Sequence, residues 1–297
     1  MHPLGLAQAQ ARVTASLALS PRSWLFVPAD SEKKIAKAIA SKADAIIFDL
    51  EDSVAPARKA AARDLLRALS ARDGGPQWWV RINPLGSDHI KADLKLLASA
   101  DFTGIVLPKA ESGADVIQLA HLTGSVPIHA IVTETASSLF GLLSYRDVKS
   151  PLTAMSWGAE DLSSALGASS KYAADGDLAF TYKLARSLTL AGAVAAGVQP
   201  IDGVFADFRD PEGLEIEARA AASEGFTGKL AIHPDQVAVI NFAFTPTPAE
   251  VAHAQAIVAA FAADPGAGVL SVDGRMVDRP HLVQAQNILA RALTSGE

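Results

Sequence analysis

Eight short apolar runs, most of them followed by a helical stretch, constrain this sequence more than any other feature. They are "SWLFVPA" (23–29), "AIIFDL" (45–50), "WWVRINP" (78–84), "GIVLPK" (104–109), "IHAIVT" (128–133), "TAMSWG" (153–158), "IDGVFA" (201–206) and "GKLAIHP" (228–234). Their apolar residues run consecutively and do not alternate with polar ones. That marks strands buried on both faces, which belong to parallel sheets wrapped in helices. Between them lie amphipathic stretches such as "SEKKIAKAIASKA", "PARKAAARDLLRALSARD" and "HIKADLKLLASA", and the long "DLAFTYKLARSLTLAGAVAAG". Eight β/α units within about 210 residues predict an α/β fold, a closed (β/α)8 TIM barrel. The rival is an open doubly wound sheet, which would place a glycine-rich phosphate loop after its first strand. Here "PADSEKK" stands there instead.

The barrel is expected over residues 21–245, with an N-terminal arm at 1–20 and a C-terminal helical extension at 246–297. The arm lacks the charged start and long apolar run of a signal peptide. In the extension, "FTPTPAEVAHAQAIVAAFAAD" predicts a Pro-led helix with a Thr cap, and "HLVQAQNILARAL" a final helix. Between them "PGAGVLSVDGRMVDRP" predicts a hairpin around Asp273-Gly274. This is not a ninth β/α unit; it packs either on the barrel or on a neighbouring subunit. A net charge of −6 with no basic block excludes nucleic acid as the main partner. The absence of cysteine excludes disulfides, thiolate nucleophiles and Cys-bound metals, and fits a cytoplasmic location. No window approaches the roughly 18 apolar residues of a membrane span, so no membrane partner is expected.

In a barrel of this kind the chemistry sits at the carboxyl ends of the strands. The polar residues there are Asp49, Glu51 and Asp52 after strand 2, Arg81 and Asn83 on strand 3, and Lys109 and Glu111 after strand 4. Glu134 ends strand 5, Glu160 and Asp161 follow strand 6, Asp207 follows strand 7 and His233 ends strand 8. Carboxylates outnumber bases on this rim. Oxygen donors without cysteine call for a hard cation, and Mg2+ suits them best. Arg22 and Arg81 are then clamps for a substrate carboxylate. Each residue also has a plainer reading. An acid after a strand also suits a helix N-terminus, Arg81 an ordinary ion pair, and His233 a turn. The collection on one rim favours the site.

In order along the chain, "RSWLFVPADSEKKIAKA", "IIFDLEDSV", "VRINP", "IVLPKAES", "ETASSLFGL", "WGAEDLSSALG" and "GFTGKLAIHPDQV" resemble the citrate lyase beta-subunit-like proteins of the HpcH/HpaI aldolase group. "DGRMVDRPHLVQAQNIL" is similar to the C-terminal segment of malyl-CoA and citramalyl-CoA lyases. The resemblance implies a Mg2+-dependent C–C lyase acting on a 3-hydroxyacyl-CoA, with an acyl-CoA thioester and a small 2-oxoacid as ligands, in a homotrimer. By position, Glu134 and Asp161 match the metal carboxylates, with Glu134 also touching substrate. Arg81 matches a substrate arginine, and Arg22 a second one near the carbonyl product. Lys33, Lys37 and Phe26 match contacts to the CoA thioester, as does the backbone at Ile232 and His233. Asp278 matches an aspartate that reaches a neighbouring subunit's site for proton transfer.

Two departures stand out: Ala29 where Gly is usual, and Thr133 where Ile commonly precedes the metal glutamate. Asp49 and Glu51 share a strand face and would orient the arginines or metal-bound water. The other outcomes open to such a chain are a malyl-CoA thioesterase or malate-synthase-like activity, a CoA-independent 4-hydroxy-2-oxoacid aldolase, and a citrate lyase beta subunit in a carrier-protein complex. Lys33, Lys37 and the "MVDRP" segment weigh against the CoA-independent aldolase.

Overall fold

The computed structural model describes residues 20–69, 74–148 and 151–293. Residues 1–19 of the arm lie outside it. Contacts divide the chain into a unit spanning Pro21–Asn241 and another from Phe242 onward.

The first unit is the closed parallel barrel that the apolar runs predict. Its strands are β1 (Ser23–Pro28), β2 (Ala45–Asp49), β3 (Gln77–Arg81), β4 (Gly104–Leu107), β5 (Ile128–Ile131), β6 (Leu152–Ser156), β7 (Gln199–Asp202) and β8 (Gly228–Ala231), joined in that order and closed by β1 on β8. Around them run α1 (Glu32–Ile39), α2 (Lys59–Arg67), α3 (Ile90–Leu97), α4 (Gly113–Thr123), the short α5 (Ser138–Gly141), α6 (Ala159–Ala165), α7 (Phe180–Ala196), α8 (Pro211–Glu224) and α9 (Gln236–Phe244). Trp24, Ala45, Ile47, Trp79, Val106, Ile131, Ala154, Ile201 and Leu230 fill the interior, two from β2 and one from each other strand. Alternate residues such as Ile46, Phe48, Val80 and Ile105 are equally buried on the outside, beneath the helices. Burial on both faces is why the strands read as unbroken apolar runs.

Every apolar run outlasts its strand at the carboxyl end. Ile82 and Val132, for example, lie just beyond β3 and β5 yet are fully buried. Apolarity reports burial, and backbone pairing runs a residue past the strand ends, with Ile82 N donating to Val106 O and Val132 N to Ser156 O. The largest difference is at β7, which begins at Gln199 and stops at Asp202, well short of residue 206.

Local signals hold in detail. Ser31 caps α1 by accepting from Lys34 N, and Ile35 and Ala38 face inward while Lys33 and Lys37 stay exposed. In the second unit, α10 (Pro248–Ala263) opens with a capping box between Thr247 and Glu250 and with Pro at its start. Then β9 (Val269–Val272) and β10 (Arg275–Asp278) form the antiparallel hairpin, followed by α11 (Arg279–Leu293). Both turn residues are left-handed, Asp273 at φ 51° and Gly274 at φ 75°, as a two-residue type I′ turn requires. Ile257, Phe261, Val272, Val277 and Ala285 form this unit's own core. Among the described residues no helix is long and apolar enough to cross a membrane.

Candidate active site

Strand parity aims the charges. Ala45 and Ile47 point into the barrel, so Asp49, two residues further, does too; by the same count from Trp79, Arg81 points inward. The two are register partners on adjacent strands. Arg81 Nε and Nη2 donate to Asp49 Oδ1 and Oδ2 at 2.7 and 2.6 Å, a bidentate pair. Glu51 N and Ser53 N add donors to the same carboxylate, at 2.9 and 3.1 Å. Burial would lift the Asp49 pKa, but Arg81 and these hydrogen bonds outweigh it and hold the carboxyl below its ordinary value. Arg81 also lies 4.8 Å over the Phe26 ring, a cation–π contact inside the barrel.

Glu51 is the second buried acid at the end of β2. It pairs with the Lys109 ammonium, and Arg81 Nη1 lies 3.0 Å from its Oε2, an ion-pair contact without hydrogen-bond alignment. Asp49 and Glu51 are 1% and 3% exposed, so neither faces bulk water. For Glu51 burial outweighs both cations and its pKa is raised. Asp52 is exposed on the loop and reaches Lys109 at 3.0 Å. Lys59, itself buried, donates to the Leu50 and Glu51 carbonyls at 2.6 and 2.7 Å and so pins the turn after β2. A cleft of ≈ 520 Å³ opens here, lined by Glu51, Asp52, Lys59, Asn83, His89 and Lys109 among others.

Lys109 connects the carboxylates and is the residue the sequence placed on the rim without a role. Its backbone is left-handed, at φ 51°, which a non-glycine residue adopts only at a cost of about 1–3 kcal/mol. That turn points its N–H at Glu134 Oε2, 2.5 Å away, while its Nζ lies 3.2 Å from Asp161. Glu134 is 3% exposed and, among the described residues, accepts that single hydrogen bond. Burial, reinforced by repulsion from Asp161, pushes its pKa to about 8. Gly158 is packed against it: a Cβ there would lie 2.8 Å from Glu134 Cγ and 2.9 Å from Oε1. Asp161, in the first turn of α6, makes no cap for that helix. It suits the helix N-terminus as a first-turn acid and also reaches Lys109.

No three His, Asp or Glu side chains among the described residues converge tightly enough to hold a metal by themselves. The two carboxylates do suit Mg2+, which takes one or two protein oxygens and keeps water or substrate in its other positions. A buried carboxyl whose pKa is lifted to about 8 is a group that a nearby cation would return to its charged form.

Arg22 is a correction. It precedes β1, and its Nε and Nη2 donate to Asp44 at 2.8 and 3.0 Å, at the amino end of β2. Strand polarity therefore puts Arg22 at the opposite end of the barrel from Asp49 and Arg81. It does not reach the mouth, where Arg81 and Lys109 are the cations that pair with Asp49 and Glu51. Ile232 and His233 follow β8 at the correct end, but both backbone N–H groups donate to Gln236 Oε1, at 2.9 and 3.2 Å. They have no free N–H for a ligand, and the His233 ring stacks on Phe208. Glu160 pairs with Lys171, and Asp207 accepts from Arg209 N; neither joins the cluster. In the second unit Asp278 is held by His281, whose Nδ1 lies 2.5 Å from Oδ1, and this hydrogen bond lowers the aspartate's pKa. The sequence reading missed His281; its place three residues after Asp278 was the available signal.

A closed parallel barrel that collects buried acids, an arginine and a lysine at its carboxyl mouth is the layout of a (β/α)8-barrel enzyme. The chain belongs to the HpcH/HpaI aldolase/citrate lyase family, which it matches over residues 22–234. It is 41% identical to a citrate lyase subunit beta-like protein of Mycobacterium tuberculosis, over 91% of this chain and 94% of that one. It is 39% identical to a (3S)-malyl-CoA thioesterase of Cereibacter sphaeroides with the same coverage. It is 36% identical to the mitochondrial citramalyl-CoA lyase of Rattus norvegicus, over 93% and 87%. The crystal structure of the M. tuberculosis protein CitE with magnesium, acetoacetate and coenzyme A superposes with a TM-score of 0.80 at 40% identity, covering 91% of this chain and 97% of that one.

Proposed function

We propose that this enzyme cleaves, or in reverse forms, the C–C bond of a 3-hydroxyacyl-CoA such as malyl-CoA or citramalyl-CoA, giving acetyl-CoA and glyoxylate or pyruvate. The observation that carries the reading is the Glu134–Asp161 pair beside Arg81 at the barrel mouth. Glu134 and Asp161 would hold a Mg2+, which when bound supplies Lewis-acid stabilisation of the oxygen charge on the 2-oxoacid. Asp49 holds the Nε–Nη2 edge of Arg81; Nη1 lies against Glu51 without a hydrogen bond to it, and is the Arg81 nitrogen whose donors remain for a substrate carboxylate. Asp49 and Glu51 keep that guanidinium in place, and Lys109 and Arg81 are the cations at hand for developing negative charge. The exposed Lys33 and Lys37, one turn apart on α1, suit the phosphates of coenzyme A.

In cleavage a base takes the proton of the 3-hydroxyl, the C–C bond breaks with its electron pair passing to the acetyl-CoA enolate, and the enolate carbon takes a proton from a carboxylic acid. Asp278 of a neighbouring subunit in a homotrimer is the group we assign to that last transfer, in the cytoplasm. His281 favours its ionised form, which takes the methyl proton of acetyl-CoA in the reverse direction; in cleavage the protonated carboxyl gives its proton to the enolate carbon and returns to that form.

The test is acyl-CoA release from malyl-CoA, methylmalyl-CoA and citramalyl-CoA, with and without Mg2+. A 2-oxoacid formed in step with the acyl-CoA, only with Mg2+, is expected; no C–C cleavage of any of the three would overturn the reading. Asp278→Asn should cut turnover about hundredfold or more while Mg2+ binding stays intact. A wild-type rate would remove Asp278 from the mechanism. The thioesterase reading is favoured by the 39% identical (3S)-malyl-CoA thioesterase. Free CoA and malate as the products of malyl-CoA would establish it.

A further inference from the structure

A second charged cluster lies on the outside of the same barrel, between strands and helices. Asp202, the last residue of β7, is fully buried. Lys229 Nζ donates to its Oδ2 at 2.9 Å, and Arg186 Nε from α7 to its Oδ1 at 2.8 Å. Lys229 also reaches Glu217 of α8 at 2.7 Å, and Arg186 pairs with Glu224. The third donor to Asp202 is neither a charge nor part of a helix. It is the indole Nε1 of Trp157, at 2.9 Å.

Trp157 sits between β6 and α6, immediately before Gly158. Its indole lies on the backbone after β7, where Gly203 leaves room: a Cβ at 203 would be 2.9 Å from the ring. Leu162, Tyr182 and Ala185 pack around it. The next residue along the chain, Gly158, is the one packed on the Glu134 side chain, and three residues further stands Asp161. The segment that carries one acid and backs the other is therefore fastened at one end by a single directional hydrogen bond. Its acceptor is a carboxylate that three elements hold still.

We propose that Trp157 and Asp202 form a latch that positions the segment from Gly158 to Asp161 against Glu134, so that the outer ionic cluster sets the geometry of the metal carboxylates without touching them. Trp157 is a positioning residue here, and the inference rests on the metal reading of Glu134 and Asp161. Arg186 and Lys229 make the acceptor rigid and charged, which strengthens a hydrogen bond and narrows its angle. Asp202 stays ionised at any working pH, since its cations outweigh burial and hold its pKa at about 2.

Two variants separate latch from scaffold. Trp157→Phe keeps the aromatic packing and loses the donor. Asp202→Asn keeps an acceptor for the indole but leaves Arg186 and Lys229 short of a negative partner. Mg2+ affinity by calorimetry, thermal melting of the metal-free protein, and amide hydrogen exchange over residues 158–165 are measured for both and for Glu134→Ala. The latch predicts that Trp157→Phe melts near wild type, binds Mg2+ roughly five- to tenfold more weakly, and loses exchange protection over 158–165, the loss of one buried hydrogen bond to a charged group. Asp202→Asn leaves the indole a weaker, uncharged acceptor, so it should lower the melting temperature and weaken Mg2+ binding by less than Trp157→Phe does. Wild-type Mg2+ affinity and protection in Trp157→Phe would overturn the latch. Wild-type protein binding no Mg2+, or Glu134→Ala binding it as well as wild type, would sink the metal reading instead, and the latch with it.

Discussion

Asp49 on β2 faces Arg81 on β3, and Asp202 on β7 faces Lys229 on β8; both pairs join register neighbours on adjacent parallel strands. Burial is the same, each aspartate being 1% exposed. What differs is one step of strand parity. Asp49 follows the inward series Ala45, Ile47 and so projects into the barrel mouth. Asp202 follows inward-pointing Ile201 and so projects outward under α7 and α8. The mouth pair has a second acid, a lysine shared with Asp161, and an open cleft beside it. The outer pair is closed in by helices and answered by Arg186 as well as Lys229. Similar ion pairs thus stand beside an open cleft where the fold leaves a mouth, and lie closed under helices where it leaves none.

Breaking the mouth should cost activity. Glu134→Ala or Asp161→Ala is expected to lower turnover about thousandfold or more, with melting of the metal-free protein unchanged or raised, since Glu134 is a buried carboxyl that its surroundings resist ionising. Mg2+-dependent turnover at the wild-type rate in both variants would put the chemistry elsewhere.

Breaking the brace should cost stability. Lys229→Met leaves Asp202 with one cation fewer, and urea unfolding should show a loss of about 3–5 kcal/mol. The folded fraction should turn over at close to the wild-type rate. A large activity loss at unchanged stability would reverse the roles of the two clusters.

Acid and base should pull the clusters in opposite directions. Asp202 has a folded pKa of about 2 against an ordinary 3.8, so its stabilisation is fully present above pH 3.8 and is lost as pH falls towards 2. Glu134 has a folded pKa of about 8 against 4.5. Its contribution to the metal-free protein is present below pH 4.5 and is lost as pH rises through 8. Glu51, also raised, acts in the same sense. Melting curves of Glu134→Gln should lose part of the alkaline slope and keep the acid one. An unchanged alkaline slope would mean that Glu134 is ionised in the folded protein.

The smallest effect is expected at Arg22. Its pair with Asp44 is partly exposed at the barrel's amino end, and Arg22→Ala should cost about 0.5–1 kcal/mol with turnover unchanged. A hundredfold loss of turnover would bring Arg22 back into the site.

Much of this was legible in the residues. Consecutive apolar runs with amphipathic stretches between them imply a buried parallel sheet, and eight of them imply closure, because backbone pairing and burial are local demands that each segment states for itself. The inward aim of Asp49 follows from Ile47 by the strand's period of two, and the hairpin at Asp273-Gly274 follows from residues that tolerate left-handed backbone. Family motifs carried Glu134 and Asp161. The end of the barrel at which Arg22 lies was not legible, since a residue beside a strand in sequence sits at the mouth or at the floor according to which side of the strand it occupies. Lys229 was hidden inside the run "GKLAIHP", and Asp202 inside a run read four residues too far. Composition does not show that a lysine in an apolar strand has its counter-charge on the next one. The left-handed turn at Lys109, the contact of Gly158 with Glu134 and the hydrogen bond from Trp157 to Asp202 join residues 24 to 45 positions apart. Local sequence determined the elements and the sign of each charge; only the closing of the barrel decided which charges met, because partners so distant are chosen by register and parity and not by their neighbours in the chain.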